Sequence, residues 1–422
     1  MADPLEPNMA GLTIARRDFE AVRRTPRFAR RPYGCVLLVR EGYFAQTELL
    51  AALAGLGVRT VAVPVGARGD AKAAFLDRLL QAILVHRPDC VLTLSHTGVD
   101  PEGSLVSLLA DLRLPLASWL LDSPDLLLSP YPRLADEGTV IFSCDAGALA
   151  AIRAMGYRQV HFLPLAASPG RLVAAPPPPP NAFAATVSFV GDSFVAETGR
   201  RLKSGRFGRE LVRWYPVLAR RMLARPERSV EALATPEESG LLARYQALTP
   251  AARRLDFALA VACRANTAHR ATILARLIPF CPLIVGPANW RTVLGPEKTT
   301  WRWLPPLYDD DRIAALFRSS LVNCNITSRH MHGAANQRVF DVPAAGGFLL
   351  TEASPQQEAL FEPGRELATY AGPDDVSDQC ARFAADPAAR AAITTAARRR
   401  IALEHTYAHR AARMLATLKA LR

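Results

Sequence analysis

Within thirteen residues, from Arg329 to Asp341, the chain places two arginines (Arg329, Arg338), two histidines (His330, His332), Asn336 and Asp341. Around them the pattern reads as an apolar strand at 321–323, a polar loop at 327–333, a helical run from about 334 to 345, a Gly346-Gly347 stop and a buried strand at 348–350. A strand, a basic loop and a helix start together make a holder for an anion. The first N–H groups of the helix and the positive end of its dipole point at whatever occupies the loop. An arginine there grips phosphate oxygens with two parallel bonds. Asp341 could accept hydrogen bonds from a diol such as a ribose. Asn336 reads equally well as a helix cap and as a ligand, and Pro343 predicts a kink or a short helix. His330 and His332 lack a third ligand at a useful spacing, so no metal site is expected.

The elements that must position these groups alternate along most of the chain. From Tyr33, apolar strands are expected at 35–39, 58–65, 90–94, 116–120, 140–143 and 160–163, with helices at about 71–87, 102–112 and 146–155 between them. This is the signature of a mostly parallel sheet covered on both faces. Ligands of such sheets bind outside the carboxyl ends of the strands. The polar residues there are Ser95, His96 and Asp100 after the third strand, Asp122 after the fourth, and Asp145 after the fifth. Each reads either as a loop cap or as part of a cleft wall. A strand at 186–190 runs into Gly191-Asp192, where a glycine allows close backbone approach to a ligand. No G-x-G-x-x-G follows the first strand, so a dinucleotide cofactor is not expected.

A chain of 422 residues suits two or three domains. Five consecutive prolines, Pro176–Pro180, mark a stiff boundary. The expected organisation is an arm at 1–32, an α/β domain at 33–175, a proline-rich linker at 176–185, a second α/β domain at 186–400 with a helical insertion at about 197–278, and a terminal helix at 401–422. The last helices are expected at about 374–385 and 387–420. Trp301 and Trp303 are read as packing residues rather than a sugar platform. The arm holds Arg16, Arg17, Arg23, Arg24, Arg27, Arg30 and Arg31, with a short helix around 12–24. It reads as a solvated, frayed extension or as a contact with an anionic membrane surface.

Half the residues are apolar and 21% are charged, as in an ordinary soluble enzyme. The formal net charge is +12, carried by 51 Lys and Arg of which four are Lys. No aromatic RNA-binding signature or zinc spacing accompanies that charge, so nucleic acid is not an expected partner. The seven cysteines are scattered and odd in number, which points to reduced thiols and a cytoplasmic setting. No signal peptide or membrane span is expected.

The runs NQRVFDVPAAGGFLLTE (336–352), LFEPGREL (360–367) and EHTYAHR (404–410) resemble the carboxyl-terminal domain of CgeB-type (spore maturation protein) glycosyltransferases. VSFVGD (187–192), LSHTGVDPEG, WLLDSP and FLPLA resemble the rest of that architecture more weakly. The resemblance implies an α/β protein of GT-B type: two Rossmann-like α/β/α domains facing a cleft, a helical insertion in the second, and a terminal helix crossing back to the first. It implies a retaining, metal-independent transfer of sugar from a nucleotide-diphosphate sugar to a glycan, lipid-linked or protein acceptor, with no cofactor. The leaving phosphate then accepts the acceptor proton. The implied donor-binding residues are Gly191, Asp192, Arg329, His332, Asn336, Arg338, Asp341 and Glu352. On the acceptor side, His96 and Asp122 are the candidate catalytic groups, with Ser95, Asp100 and Asp145 beside them. Asp341 is one methylene shorter than the Glu usual in GT-B relatives, and Gly333 stands where many of them carry another Glu. Those departures leave a second expectation open, a catalytically inactive homologue that binds nucleotide or glycan, or serves assembly.

Overall fold

The computed structural model describes residues 15–29, 31–43, 45–66, 72–128, 138–168, 170, 183–226, 228–295, 300–331 and 333–421. The proline run at 176–180, His332, Arg30 and the start of the arm lie outside the described residues. The chain forms two compact units, one running through Pro164 and resuming at Tyr407, the other spanning Leu165–Thr406.

The first unit holds strands β1 (Gly34–Val39), β2 (Arg59–Pro64), β3 (Cys90–Leu94), β4 (Leu116–Leu120), β5 (Thr139–Ser143) and β6 (Gln159–Phe162). They form one parallel sheet in the order β2-β1-β3-β4-β5-β6. β3, β4 and β5 are buried at every residue, because crossover helices cover both faces of a parallel sheet. The chain leaves β1 for the edge strand β2 and returns to β3 on the other side of β1. The order of the strands therefore reverses between β1 and β3.

The described part of the arm corrects the picture of a frayed extension. The helix Arg16–Arg23 sends Val22 into the core, fully buried. The Arg27 guanidinium donates to the carbonyls of Val22, Pro88 and Leu112 at 2.8, 3.1 and 3.1 Å.

The second unit holds β7 (Ala185–Val190), β8 (Leu283–Val285), β9 (Arg302–Leu304), β10 (Ser320–Asn325), β11 (Leu349–Glu352) and β12 (Ala368–Tyr370), again all parallel, in the order β12-β11-β10-β7-β8-β9. The chain builds outward from β7 in one direction and from β10 in the other. The loops after β7 and β10 therefore flank the switch point, where open α/β sheets bind ligands.

Between β7 and β8 lies the helical insertion, which is not one uniform run. It contains the helices Val195–Gly205, Arg209–Ala224, Val230–Leu233, Ser239–Gln246 and Ala251–Leu277. The last, 27 residues long, spans about 40 Å and belongs to two cores. Its first half packs Phe257, Val261 and Ala265 with Trp214 and Leu218 of the insertion. Its last turns pack Ile273, Leu274 and Leu277 with Val187, Ile284 and Leu350 of the sheet. The turn between the two presents Asn266, His269 and Arg270, one helical face at i, i+3 and i+4.

Two further expectations are corrected. The helix after β10 begins at Gln337, capped by Asn336, rather than near Ala334. The stretch 387–420 is two helices, Pro387–Glu404 and Tyr407–Ala420. They are broken where Thr406 makes a bridge with Ala167. Residues 302–304, for which no strand was expected, form the edge strand β9. Trp301 is buried beside it, and Trp303 donates from Nε1 to the Gly286 carbonyl at 2.9 Å.

Candidate functional site

At the carboxyl edge of the second sheet, two glycines bring strand ends together. A Cβ at Gly286 would fall 2.2 Å from the Gly191 carbonyl oxygen, and one at Gly191 would meet the Phe189 ring at 2.6 Å. The Gly191 carbonyl instead accepts from Trp290 Nε1 at 2.9 Å. Asp192 turns the loop by accepting from the Phe194 N–H at 2.7 Å, and its own carbonyl accepts from Arg270 Nη1 at 2.7 Å. Arg270 Nη2 reaches Ser328 Oγ, in the loop after β10, at 3.2 Å. Arg270 thus ties together the two loops that flank the switch point.

Arg270 is buried, with its guanidinium over the Phe194 ring at 4.6 Å and the Phe189 ring at 5.7 Å. Burial, helped by the charge of Arg338, pushes its pKa down to about 9, which leaves it protonated at neutral pH. Arg338 is part-buried in the first turn of the helix Gln337–Ala344, and burial lowers its pKa against the pull of Asp341. Among the described residues neither arginine forms an ion pair with a carboxylate within 4 Å, and the Nε of each is buried without a hydrogen-bond partner. Two guanidinium groups close enough to feel one another, in a low dielectric, favour a shared anion.

The neighbouring groups are already engaged. Asn336 Oδ1 caps the helix at the Arg338 N–H (3.1 Å), and its Nδ2 donates to Asn325 Oδ1 (2.9 Å). Asp341 is buried, with Oδ1 accepting from Gln337 Nε2 at 2.8 Å. Glu352 ends β11 and meets His269 Nε2 at 2.9 Å and Arg329 Nη1 at 3.7 Å. The Arg329 N–H donates to Asn266 Oδ1 at 2.6 Å, and Asn266 Nδ2 meets His330 Nδ1 at 2.8 Å. Arg329 and Glu352 therefore clamp the loop after β10 onto the insertion helix. His332 lies outside the described residues. Among those described, no group of three or more His, Cys, Asp or Glu is arranged to hold a metal ion.

At the carboxyl edge of the first sheet, Ser95 and His96 both take left-handed backbone angles, φ 47° and 58°, a conformation that costs non-glycine residues energy and often marks a working loop. The turn drives His96 inward, where it is buried with Nδ1 at 2.6 Å from Ser118 Oγ. Burial lowers its pKa to about 4, so the ring is neutral at pH 7. Asp100 accepts from the N–H groups of Ser104 and Leu105 at 2.9 and 3.0 Å, and Asp145 from that of Gly147 at 3.0 Å. Ser95 Oγ accepts from the Leu121 N–H at 3.2 Å. Asp122 is exposed, with Oδ1 on the Ser123 N–H at 2.8 Å. The Tyr43 phenol bonds Ser95 and feels Asp122, and burial raises its pKa. Ser95 and Asp122 thus share one edge, and His96 faces into the unit.

Sequence reasoning passed over Arg270, Asn266, His269 and Tyr43. The signal for the first three was present: Asn266, His269 and Arg270 make a polar stripe on a helix whose neighbouring turns are apolar and buried.

Residues 244–416 match the family model described as "Glycosyl transferase-like". No curated protein matches the sequence. Among solved structures, Anabaena Alr3699/HepE in complex with UDP-glucose aligns at 12% identity and TM-score 0.52, covering 92% of this chain and 99% of that one. Sucrose-phosphate synthase from Thermosynechococcus elongatus aligns at 10% identity and TM-score 0.54, covering 92% and 99%. A glycosyltransferase from Rickettsia africae aligns at 9% identity and TM-score 0.54, covering 93% and 99%. Two six-stranded parallel sheets on this pattern are the GT-B fold. That fold and the glycosyl transferase-like match over 244–416 support a glycosyltransferase.

Proposed function

We propose that the chain transfers a sugar from a nucleoside-diphosphate sugar to an acceptor hydroxyl, with the diphosphate held between Arg270 and Arg338 at the amino end of the helix Gln337–Ala344. The main support is the pair itself: two protonated guanidinium groups beside the switch point, each without an ion-paired carboxylate among the described residues. Charge developing on a departing diphosphate is stabilised most by donors already fixed in a water-poor site. In this reading Gly191 lets the backbone approach the donor, and Asp341 offers a carboxylate oxygen to the ribose. Arg329 and Glu352 hold the loop in place.

The reaction proposed is retaining and free of metal and cofactor. The bond from the anomeric carbon to the phosphate oxygen breaks, the acceptor oxygen bonds that carbon, and the acceptor proton passes to the leaving phosphate. The buried, neutral His96 suits a positioning role better than that of a base, whereas Asp122 lies exposed at the strand edge. HepE was crystallised with UDP-glucose, so UDP-sugars are the first donors to test. A CgeB-type acceptor, a surface glycan or a protein, is the corresponding proposal. All seven cysteines are free thiols, which suits a cytoplasmic enzyme. No helix among the described residues is long and apolar enough to cross a membrane.

The test is a panel of UDP-, GDP-, ADP- and dTDP-sugars at millimolar concentration. At least one is expected to raise the melting temperature and to release its nucleotide when an acceptor is supplied. If none raises it, the proposal fails. Stabilisation without turnover against any acceptor would favour a binding protein.

A further inference from the structure

The opposite end of the first sheet, where its strands begin, carries a pocket of about 640 Å³. It opens beside Tyr33, just before β1, and Val58, just before β2. Its other wall is the helix Tyr407–Ala420, through Leu415, Ala416 and Lys419. The polar groups are two cations and a phenol. Arg31 and Lys419 lie beside the Tyr33 phenol and hold its pKa below the usual value. The Arg31 guanidinium also lies 5.4 Å from the centre of the Tyr33 ring. Among the described residues no carboxylate lines the pocket. Its remaining surface is apolar, and Leu56 at its rim is 43% exposed. The last turn of the same helix also lines a second pocket, of about 510 Å³, with Arg23, Arg113, Leu418 and the 41%-exposed Leu421.

We propose that the first pocket binds a phosphate ester with an apolar substituent, the phosphate between Arg31 and Lys419 and the substituent along Leu56, Val58 and Leu415. Two cations in a pocket lined by no described carboxylate offer their donors to an anion, and phosphate has acceptors for both. Exposed leucine next to exposed cation suits a ligand that is charged at one end and greasy at the other. Such a group belongs either to an anionic lipid in a membrane or to a soluble phosphorylated amphiphile. The site is separate from the strand edges that carry the sugar-transfer residues.

The test uses the full chain with inorganic phosphate, soluble dihexanoyl phosphatidic acid, and phosphatidylcholine vesicles with and without phosphatidic acid. Wild type is expected to bind the soluble amphiphile more tightly than inorganic phosphate. Arg31→Ala/Lys419→Ala is expected to bind it about thirtyfold more weakly, from about fivefold per basic residue at an anionic headgroup. Arg31→Lys/Lys419→Arg should retain binding, and the melting-temperature rise given by UDP should be the same in both variants as in wild type. Recruitment to phosphatidic acid vesicles but not to phosphatidylcholine alone assigns the site to a membrane lipid. Binding of the soluble amphiphile without recruitment assigns it to a soluble ligand. Absence of binding to every phosphate probe, or equal binding by wild type and the alanine variant, overturns the proposal.

Discussion

At the carboxyl edge of the first sheet, Asp100, Asp145 and Ser95 accept hydrogen bonds from backbone N–H groups of nearby loops. At the matching edge of the second sheet, Arg270 and Arg338 have no carboxylate in ion-pair range among the described residues, and Arg338 lowers the pKa of Arg270. The two edges share a fold and a parallel topology, yet their polar side chains have different work. A carboxylate that caps a loop already has its partner and shapes the backbone. Cations held close together without a counter-ion raise the energy of the empty site, and an arriving anion lowers it. Polarity at a strand end is therefore a weak guide to binding, and the state of satisfaction of each group is a better one.

The sharpest break of that contrast is Arg338→Ala. It should cut sugar transfer by about 10²–10³-fold, the scale of losing one donor to a developing oxyanion. Calorimetry should find the ligand-free melting temperature unchanged or raised, because an unpaired cation has gone. A clear fall without ligand would mean that Arg338 is structural.

His96 tests the first edge through pH. Its folded pKa of about 4 lies below the unfolded value near 6.5. As pH falls below 6.5 the unfolded chain takes up the proton and the folded chain does not, so stability is complete above 6.5 and declines toward pH 4. The loss is on the order of 3 kcal/mol. Urea unfolding between pH 7 and pH 4.5 should show this slope, and His96→Gln should flatten it.

Arg270→Ala should differ from Arg338→Ala, because Arg270 also joins Asp192 to Ser328. It should weaken nucleotide binding and lower ligand-free stability by about 2–3 kcal/mol, read by urea titration with and without UDP. The smallest effect belongs to the caps. Asp100→Ala should cost about 1 kcal/mol of stability and leave the affinity for UDP, measured by calorimetry, unchanged. A change in affinity there would erase the contrast between the two edges.

Much of the scaffold was legible in the residues. The alternation of apolar strands and helices gave the parallel sheets, because a strand buried on both faces must be apolar throughout. The run from Asn336 to Glu352 announced a capped helix followed by a buried strand, and Asn336 is that cap. Legibility stopped where distance along the chain exceeds the reach of periodicity. Arg270 lies 68 positions before Arg338, in a helix whose ends belong to different cores. The break at His405–Thr406 was hidden too, since it is marked by a bridge to Ala167 rather than by a proline or glycine.

By itself, then, the sequence determined most of the strand segments and the helix that follows β10. Those properties depend on neighbours a few residues away, whose spacing is fixed by the backbone. Only the tertiary structure decided which polar groups are left without partners. Whether Asp100 caps a loop or Arg270 meets Arg338 depends on which strand ends the sheet order places side by side, and burial then sets how strongly each charge is felt.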